Sequence, residues 1–149
     1  IIIRDAGLRR KFVRANKLGE SVNPLSLAAY QAAYEKGGEW LDQLQDYLDA
    51  NFEFAVEYIR ENIPGAVCEV SQATYLLWVD LNGCGIDTSD LSKFFAKSAG
   101  VLVESGNRLF VGNAAGFVRV NLAMPRALVA EGLERMAAAV REECERNRR

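Results

Sequence analysis

The chain opens on three β-branched residues followed by a short helical repeat. Residues 1–3 are all isoleucine and predict the end of a buried strand. Leu8, Phe12 and Ala15 then recur at helical spacing and predict a short helix that ends near Leu18–Gly19. Because a buried strand is rarely built from its last residues alone, we expect further sequence before this start.

Two longer helical patterns follow. Asn23 is a good N-cap and Pro24 suits the first helical position, whereas Gly37–Gly38 should end or bend that helix. From Glu39 to Pro64, apolar side chains recur every three or four residues and predict a helix of about 24 residues and about 36 Å. A helix of this length can run between two domains. Its apolar positions are Leu41, Leu44, Leu48, Phe52, Ala55 and Ile59.

After Pro64 the pattern changes to a mixture of strands and helices. Residues 74–81 are β-branched, aromatic and apolar on both faces, which predicts a central strand. Residues 87–89 offer N-caps to a helix that ends at Gly100. The remaining predicted elements are a strand at Val101–Val103, a loop at Glu104–Gly116, a strand at Phe117–Leu122, and a helix from Pro125 that buries Val129, Leu133, Met136 and Val140.

The order of these elements predicts the fold class. Strand, helix, strand, strand and helix favour a small antiparallel or mixed sheet that helices cover on one face. We therefore expect an α/β protein whose C-terminal part is an α+β small domain. Three segments are predicted: residues 1–38 as part of another unit, residues 39–63 as the long interdomain helix, and residues 64–149 as the small domain.

Composition limits the classes of function. Among 149 residues, 50% are hydrophobic and 26% charged, with a net charge of -2, so a folded protein that does not bind nucleic acid is expected. Three cysteines without CxxC spacing and the absence of histidine argue against a metal site and favour a reducing, cytoplasmic location. No apolar run approaches the roughly 20 residues that cross a bilayer, so no membrane partner is expected.

The strand at residues 117–122 carries the sharpest chemical signal. Its alternation places Arg119 in mid-strand beside Asn121, on the face opposite Val118, Val120 and Leu122. A rigid strand is a good mount for a guanidinium that must bind a carboxylate through two parallel hydrogen bonds. The pattern alone favours a plainer interpretation, an arginine that lies across an edge strand or pairs with a neighbouring acid. Carboxylate binding stays open as the alternative.

Other candidates are weaker. The loop at 104–116 contains three glycines but no Walker lysine, so it is better interpreted as a flexible loop at the border of a cleft than as an anion cradle. Without histidine, no Ser-His or Cys-His pair can form within the chain. Cys68 and Cys84 are expected in the core, and Tyr30, Tyr34 and Tyr75 are expected to pack. None of the lysines, at 11, 17, 36, 93 and 97, lies in a segment typical of a buried pocket.

Taken in order, several segments resemble one family. They are LRRKF at 8–12, Asn23–Pro24, AAY at 32–34, GGEWL at 37–41, YLDAN at 47–51, TYLLWVD at 74–80 and GFVRVNLAMPR at 116–126. Together they are similar to pyridoxal-phosphate (PLP) enzymes of the class I/II aminotransferase fold (fold type I), in the cystathionine beta-lyase-like branch of C-S lyases. The resemblance covers nearly the whole chain and implies the C-terminal part of that architecture, with residues 1–38 as a remnant of the large PLP-binding domain and residues 64–149 as the C-terminal small domain.

The resemblance implies roles for particular residues. Arg119, the arginine of the FxRxN strand, would bind the α-carboxylate of an amino-acid substrate, and Asn121 would support it. The family's cofactor lysine lies in a Ser-x-x-Lys segment just before the strand that ends here at residue 3, so this chain is expected to lack it. Residues 109–111 are Leu-Phe-Val where the family has a Phe-Gly pair, which leaves the role of this loop open.

The resemblance also implies an activity for the intact enzyme. It would be a homodimer with PLP, acting as a C-S beta-lyase on cystathionine or a related amino acid: a lysine removes the α-proton, the cofactor accepts the electrons and the β-thiolate leaves. An aminotransferase is the first alternative, and a non-enzymatic domain that binds a ligand or a protein is the second. The chain alone is expected to bind no PLP and to be inactive.

Overall fold

The computed structural model describes residues 2–16, 23–109 and 112–149, which form two compact units, Ile1–Leu41 and Asp42–Arg149. The first unit contains helix α1 (Ala6–Ala15) and helix α2 (Pro24–Lys36). Asp5 caps α1 by accepting a hydrogen bond from the Leu8 amide at 2.7 Å. Asn23 caps α2, with Pro24 in its first turn, as the sequence predicts.

One expectation for the first unit needs correction. Ile2 and Ile3 are not in a strand, because a strand exists only where its backbone finds a partner; the Ile3 carbonyl instead accepts a hydrogen bond from Arg9 at 2.9 Å. The predicted helix end at Leu18–Gly19 lies outside the described residues, and α1 ends at Ala15. Tyr30 and Tyr34 pack against each other, at 4.7 Å between ring centroids, as expected, although both remain exposed.

Helix α3 (Gly38–Asn62) has 25 residues, close to the predicted length, and leads into the second unit. The elements that follow are β1 (Leu76–Asp80), a 3₁₀ turn at Asn82–Cys84, α4 (Leu91–Ser98), β2 (Glu104–Ser105), α5 (Gly106–Leu109), β3 (Phe117–Asn121) and α6 (Arg126–Asn147).

The three strands form one antiparallel sheet in the order β1-β3-β2. The sheet class is therefore as predicted, but β3 and not β1 is the central strand. The prediction rests on the apolar side chains on both faces of β1. In the structure, Leu77 and Val79 are buried, whereas Leu76, Trp78 and Asp80 are only half-buried. Position within a sheet depends on long-range pairing, which the local pattern does not encode.

Helix α4 begins and ends within a few residues of its predicted bounds. Strand β2 comes directly after the residues predicted as a strand. Asp90 caps α4 by accepting from the Lys93 amide at 3.2 Å, while Asp87 forms a separate turn by accepting from the Ser89 amide at 2.9 Å. The predicted strand at 101–103 is wrong, since pairing with β3 begins only at Glu104.

One hydrophobic core holds the second unit together. Leu77, Val79 and Val118 project from the sheet into a cluster with buried side chains of α3, α4 and α6. The predicted inward positions of α6 are all buried, which confirms its helical periodicity. One face of the sheet therefore packs on the core, and the opposite face bears the side chains of Trp78, Phe117 and Arg119.

Candidate functional site

Arg119 lies in the middle of the central strand, on the face away from the core. Its neighbour Val118 is fully buried, and alternation along β3 sends the Arg119 side chain to the opposite face. The sheet register places Trp78 of β1 on one side of Arg119 and Glu104 of β2 on the other. Directly paired residues share a face, so the three side chains form one row across the sheet.

The Arg119 guanidinium forms an ion pair with Glu104. Its Nη2 donates to Glu104 Oε2, with the arginine side chain 24% exposed and the glutamate side chain 54% exposed. The Nε of Arg119 is buried and no acceptor from the described residues reaches it. Pairing with a neighbouring acid is the plainer interpretation that the sequence pattern favours, although the strand is central and not an edge. The Nε donor of the guanidinium therefore has no acceptor among the described residues.

Aromatic side chains border the arginine. The Trp78 and Phe117 rings meet edge to face, with centroids 6.3 Å apart and planes at 66°. Both residues are half-buried and lie on the same face of the sheet as Arg119. An apolar wall of this kind lowers the local dielectric constant and strengthens the attraction between a guanidinium and an incoming anion.

Asn121 shares this face, and its observed contact is with the turn after β3. Its Oδ1 accepts a hydrogen bond from the Ala123 amide at 2.8 Å, and the residue is exposed. This is an Asx turn, which directs the chain from β3 towards α6. Direct support of Arg119 by Asn121 therefore stays a prediction.

Asn51 of α3 is a residue whose role sequence reasoning missed. It is fully buried, and its Nδ2 donates to the Leu122 carbonyl at 2.8 Å and to the Met124 carbonyl at 3.1 Å. Its Oδ1 accepts from Arg126 Nε at 2.5 Å. A polar residue within the apolar stripe of a helix was the available signal. Asn51 fixes the chain where it leaves β3.

Arg126 completes this connection. Its amide donates to the Tyr47 hydroxyl oxygen at 2.7 Å, and its guanidinium lies 5.0 Å above the centre of the Phe54 ring. Three residues of α3, Tyr47, Asn51 and Phe54, therefore hold the backbone and the side chain of the first residue of α6. The end of β3, and with it the strand that carries Arg119, is anchored to a long helix.

The segment 104–116 is more ordered than the predicted flexible loop. It contains β2 and the short helix α5, while Phe110 and Val111 lie outside the described residues. Asn107 donates to the Thr88 carbonyl at 3.3 Å, and Arg108 pairs with Asp90 at 3.0 Å. These contacts tie the segment to the start of α4.

Three kinds of feature bear on function in the described part of the chain: lysines that could hold a cofactor, side chains that could bind a metal ion, and helices that could cross a membrane. The described lysines, at 11, 36, 93 and 97, are exposed on helices and none is in the sheet; Lys17 lies outside the described residues. Within the described ranges, no group of three or more acidic, cysteine or histidine residues could hold a metal ion. Over the same residues, no helix combines the length and the apolar character that crossing a bilayer requires.

A cavity of about 790 Å³ lies apart from Arg119, where the 3₁₀ turn meets the end of α6. Cys84 and Cys144 line it, and Cys144 Sγ donates to the Cys84 carbonyl at 2.9 Å. Cys84 is buried, as predicted, whereas Cys68 is half-buried. Burial, then the neighbouring Cys144 and Asp80, raise the pKa of the Cys84 thiol to about 11. Cys84 is therefore a protonated core residue at neutral pH.

This pKa predicts how stability changes in alkaline solution. The thiol of the unfolded chain ionises from about pH 9, whereas the folded thiol stays neutral up to about pH 11. Ionisation thus favours the unfolded chain, so the stability from Cys84 is full below pH 9 and is lost by pH 11. Urea denaturation across this range should show a smaller fall for Cys84→Ala than for the parent chain. Equal falls would show that Cys84 is not the group responsible.

Comparison with known proteins assigns this geometry to a known architecture. No family model matches the chain. It is 34% identical to cystathionine beta-lyase PatB of Bacillus subtilis over 143 residues, which is 94% of this chain and 36% of PatB. The PLP-bound C-S lyase of Staphylococcus hominis, solved with the inhibitor L-cycloserine, is 40% identical with a TM-score of 0.84, covering 93% of this chain and 34% of that enzyme. Cystalysin of Treponema denticola, a PLP-containing protein, is 27% identical with a TM-score of 0.87 over 95% of this chain and 36% of its own. The chain spans about a third of the length of these relatives.

Proposed function

Because this chain belongs to the cystathionine beta-lyase-like branch of the PLP-dependent aminotransferase fold (fold type I), we propose that the whole protein is a PLP-dependent C-S beta-lyase. Within that enzyme, Arg119 binds the α-carboxylate of the amino-acid substrate. The observation that carries this proposal is the half-buried guanidinium in mid-strand, with its buried Nε unpartnered among the described residues.

The described residues supply the substrate side of such a site and not the cofactor side. PLP would serve as the electron sink when the α-proton leaves. The described lysines are all exposed on helices and none lies in a buried pocket, so the described residues do not fit the Schiff-base role. The prediction that the chain alone binds no PLP and is inactive follows from the same point.

Arg119 has a defined task in this proposal. A carboxylate held by two parallel hydrogen bonds cannot rotate, which fixes the direction of the bonds at the substrate's α-carbon. β3 is hydrogen-bonded on both sides, so the guanidinium is mounted on backbone that cannot shift by itself. The aromatic border of Trp78 and Phe117 keeps water from competing for the same donors. Asn121 would act through the turn that follows Arg119.

Three further expectations belong to the same proposal. Residues 39–63 would form the helix between a large and a small domain, with residues 64–149 as the small domain. The enzyme would act as a homodimer in the cytoplasm, and its substrate would be cystathionine or a related β-thio amino acid. The names of the relatives support the reaction class, and the compact unit Asp42–Arg149 contains the proposed small domain together with most of the long helix.

Product analysis of the whole protein with PLP tests the proposed reaction. Cystathionine should be cleaved with release of pyruvate and ammonia in equal amounts, as expected for elimination of the β-thiolate and hydrolysis of the remaining fragment. Transfer of the amino group to a keto acid without pyruvate would replace the lyase by an aminotransferase. If neither reaction occurs while the protein is folded, a non-enzymatic binding domain becomes the better interpretation.

A further inference from the structure

The ion pair between Arg119 and Glu104 has a direct bearing on substrate affinity. Planar carboxylates bind a guanidinium either end-on, through Nη1 and Nη2, or side-on, through Nε and Nη2. Nη2 takes part in both arrangements. Since Glu104 accepts from Nη2, its carboxylate occupies one of the two N–H groups of Nη2 and places a negative charge beside the edges that a bidentate ligand would use.

The positions of Glu104 and Arg119 indicate which of the two side chains moves when a carboxylate ligand binds. Glu104 is 54% exposed and stands on the two-residue edge strand β2, so its side chain can turn into solvent. Arg119 is 24% exposed and fixed in the central strand, with its Nε already buried and unpartnered among the described residues. An incoming carboxylate therefore competes for the exposed part of the guanidinium with the better hydrated Glu104, which can turn away into solvent.

We propose that Glu104 is an internal competitor for Arg119, a residue that lowers the affinity of the enzyme for amino-acid carboxylates. This inference rests on the proposed function. Glu104 acts as a stand-in for the substrate carboxylate, and substrate binding is an exchange of one anion for another at the same guanidinium. The affinity of Arg119 for substrate is then set partly by the charge on a neighbouring strand.

An alternative role for Glu104 would be to hold the guanidinium in its binding orientation. Hydrogen bonds to both neighbouring strands already fix the backbone of Arg119, and Trp78 of β1 lies opposite it in the register. Orientation therefore has sources other than Glu104. The two roles predict opposite changes in affinity when the negative charge of Glu104 is removed.

Binding of glycine and glycinamide to the whole protein with PLP provides the test. Glycine has no β-carbon, so it binds without elimination, and glycinamide lacks the carboxylate. The dissociation constants are measured from the change in cofactor absorbance and by calorimetry. Glu104→Gln should tighten glycine binding by about two- to fivefold, the range expected for loss of a partly exposed ion pair, and leave glycinamide unchanged. Glu104→Ala should act in the same direction.

Glu131→Gln is the matched control, because it removes the same charge from an exposed pair with Arg135 on α6. It should leave both dissociation constants unchanged. Weaker glycine binding, or no change, in both Glu104 variants would overturn the competitor role, provided that Arg119→Ala weakens glycine binding. If Arg119→Ala leaves glycine binding intact, the assignment of Arg119 itself fails and the competitor role fails with it.

Discussion

Replacing Arg119 with alanine is expected to lower kcat/KM of the whole protein for its amino-acid substrate by about 100-fold, the cost of losing one partner of a desolvated charge pair. The loss arises because the substrate carboxylate would enter a half-buried, aromatic-lined position without a cation to receive it. Steady-state kinetics with cystathionine measure this effect. KM should rise most, and kcat should fall as well, because the α-carbon is no longer held in one orientation.

Two further arginine variants make this result specific. Arg119→Lys keeps the charge but offers no planar pair of donors, so it should recover only part of the lost activity. Arg135→Ala removes a half-exposed arginine that pairs with Glu131 within α6, and it should leave kcat/KM within about twofold of the parent value. A value for Arg119→Ala within about threefold of the parent, far below the loss expected for an unpaired substrate charge, would remove Arg119 from the binding site.

The largest expected effect on stability is that of Asn51→Ala. The change should lower the free energy of unfolding by about 3 kcal/mol, because it leaves the Leu122 and Met124 carbonyls and Arg126 Nε without their buried partner. Leucine at this position would fill the space but would leave the same groups unpaired. Urea denaturation followed by circular dichroism measures the loss.

Asn62→Ala is the matched control on the same helix. Asn62 donates to the Tyr58 carbonyl at 2.9 Å within α3 and is only half-buried, so its loss should cost about 1 kcal/mol or less. Comparable losses for the two variants would mean that the contacts of Asn51 to the end of β3 add little. A large loss at Asn51 alone would show that this amide holds the strand end in place.

Elements with a strong local period could be predicted well from the sequence. α3 and α6 carry long apolar stripes, and the alternation of β3 gave the correct face for Arg119 because both depend on neighbours in the chain. The local pattern predicts β1 instead of β3 as the central strand and predicts a strand at Ile2 and Ile3. Both predictions are wrong because strand pairing joins residues far apart in sequence.

In the candidate site, too, some features depend on neighbours in the chain and others depend on long-range contacts. Arg119 has a local signature, but its partner Glu104 depends on the register between β2 and β3, which no local pattern encodes. Asn51 contacts the chain more than 70 residues away, at Leu122 and Met124. Its only local trace is a polar side chain inside an apolar stripe, which indicates burial but not the partner.

The alternation of β3 also limits how this strand can vary. Val118 belongs to the core and Arg119 to the opposite face, so adding or removing one residue between Phe117 and Asn121 would exchange the two environments. A charged group would then enter the core while a valine took its place on the exposed surface. Within the strand, only substitutions therefore preserve both the core and the arginine.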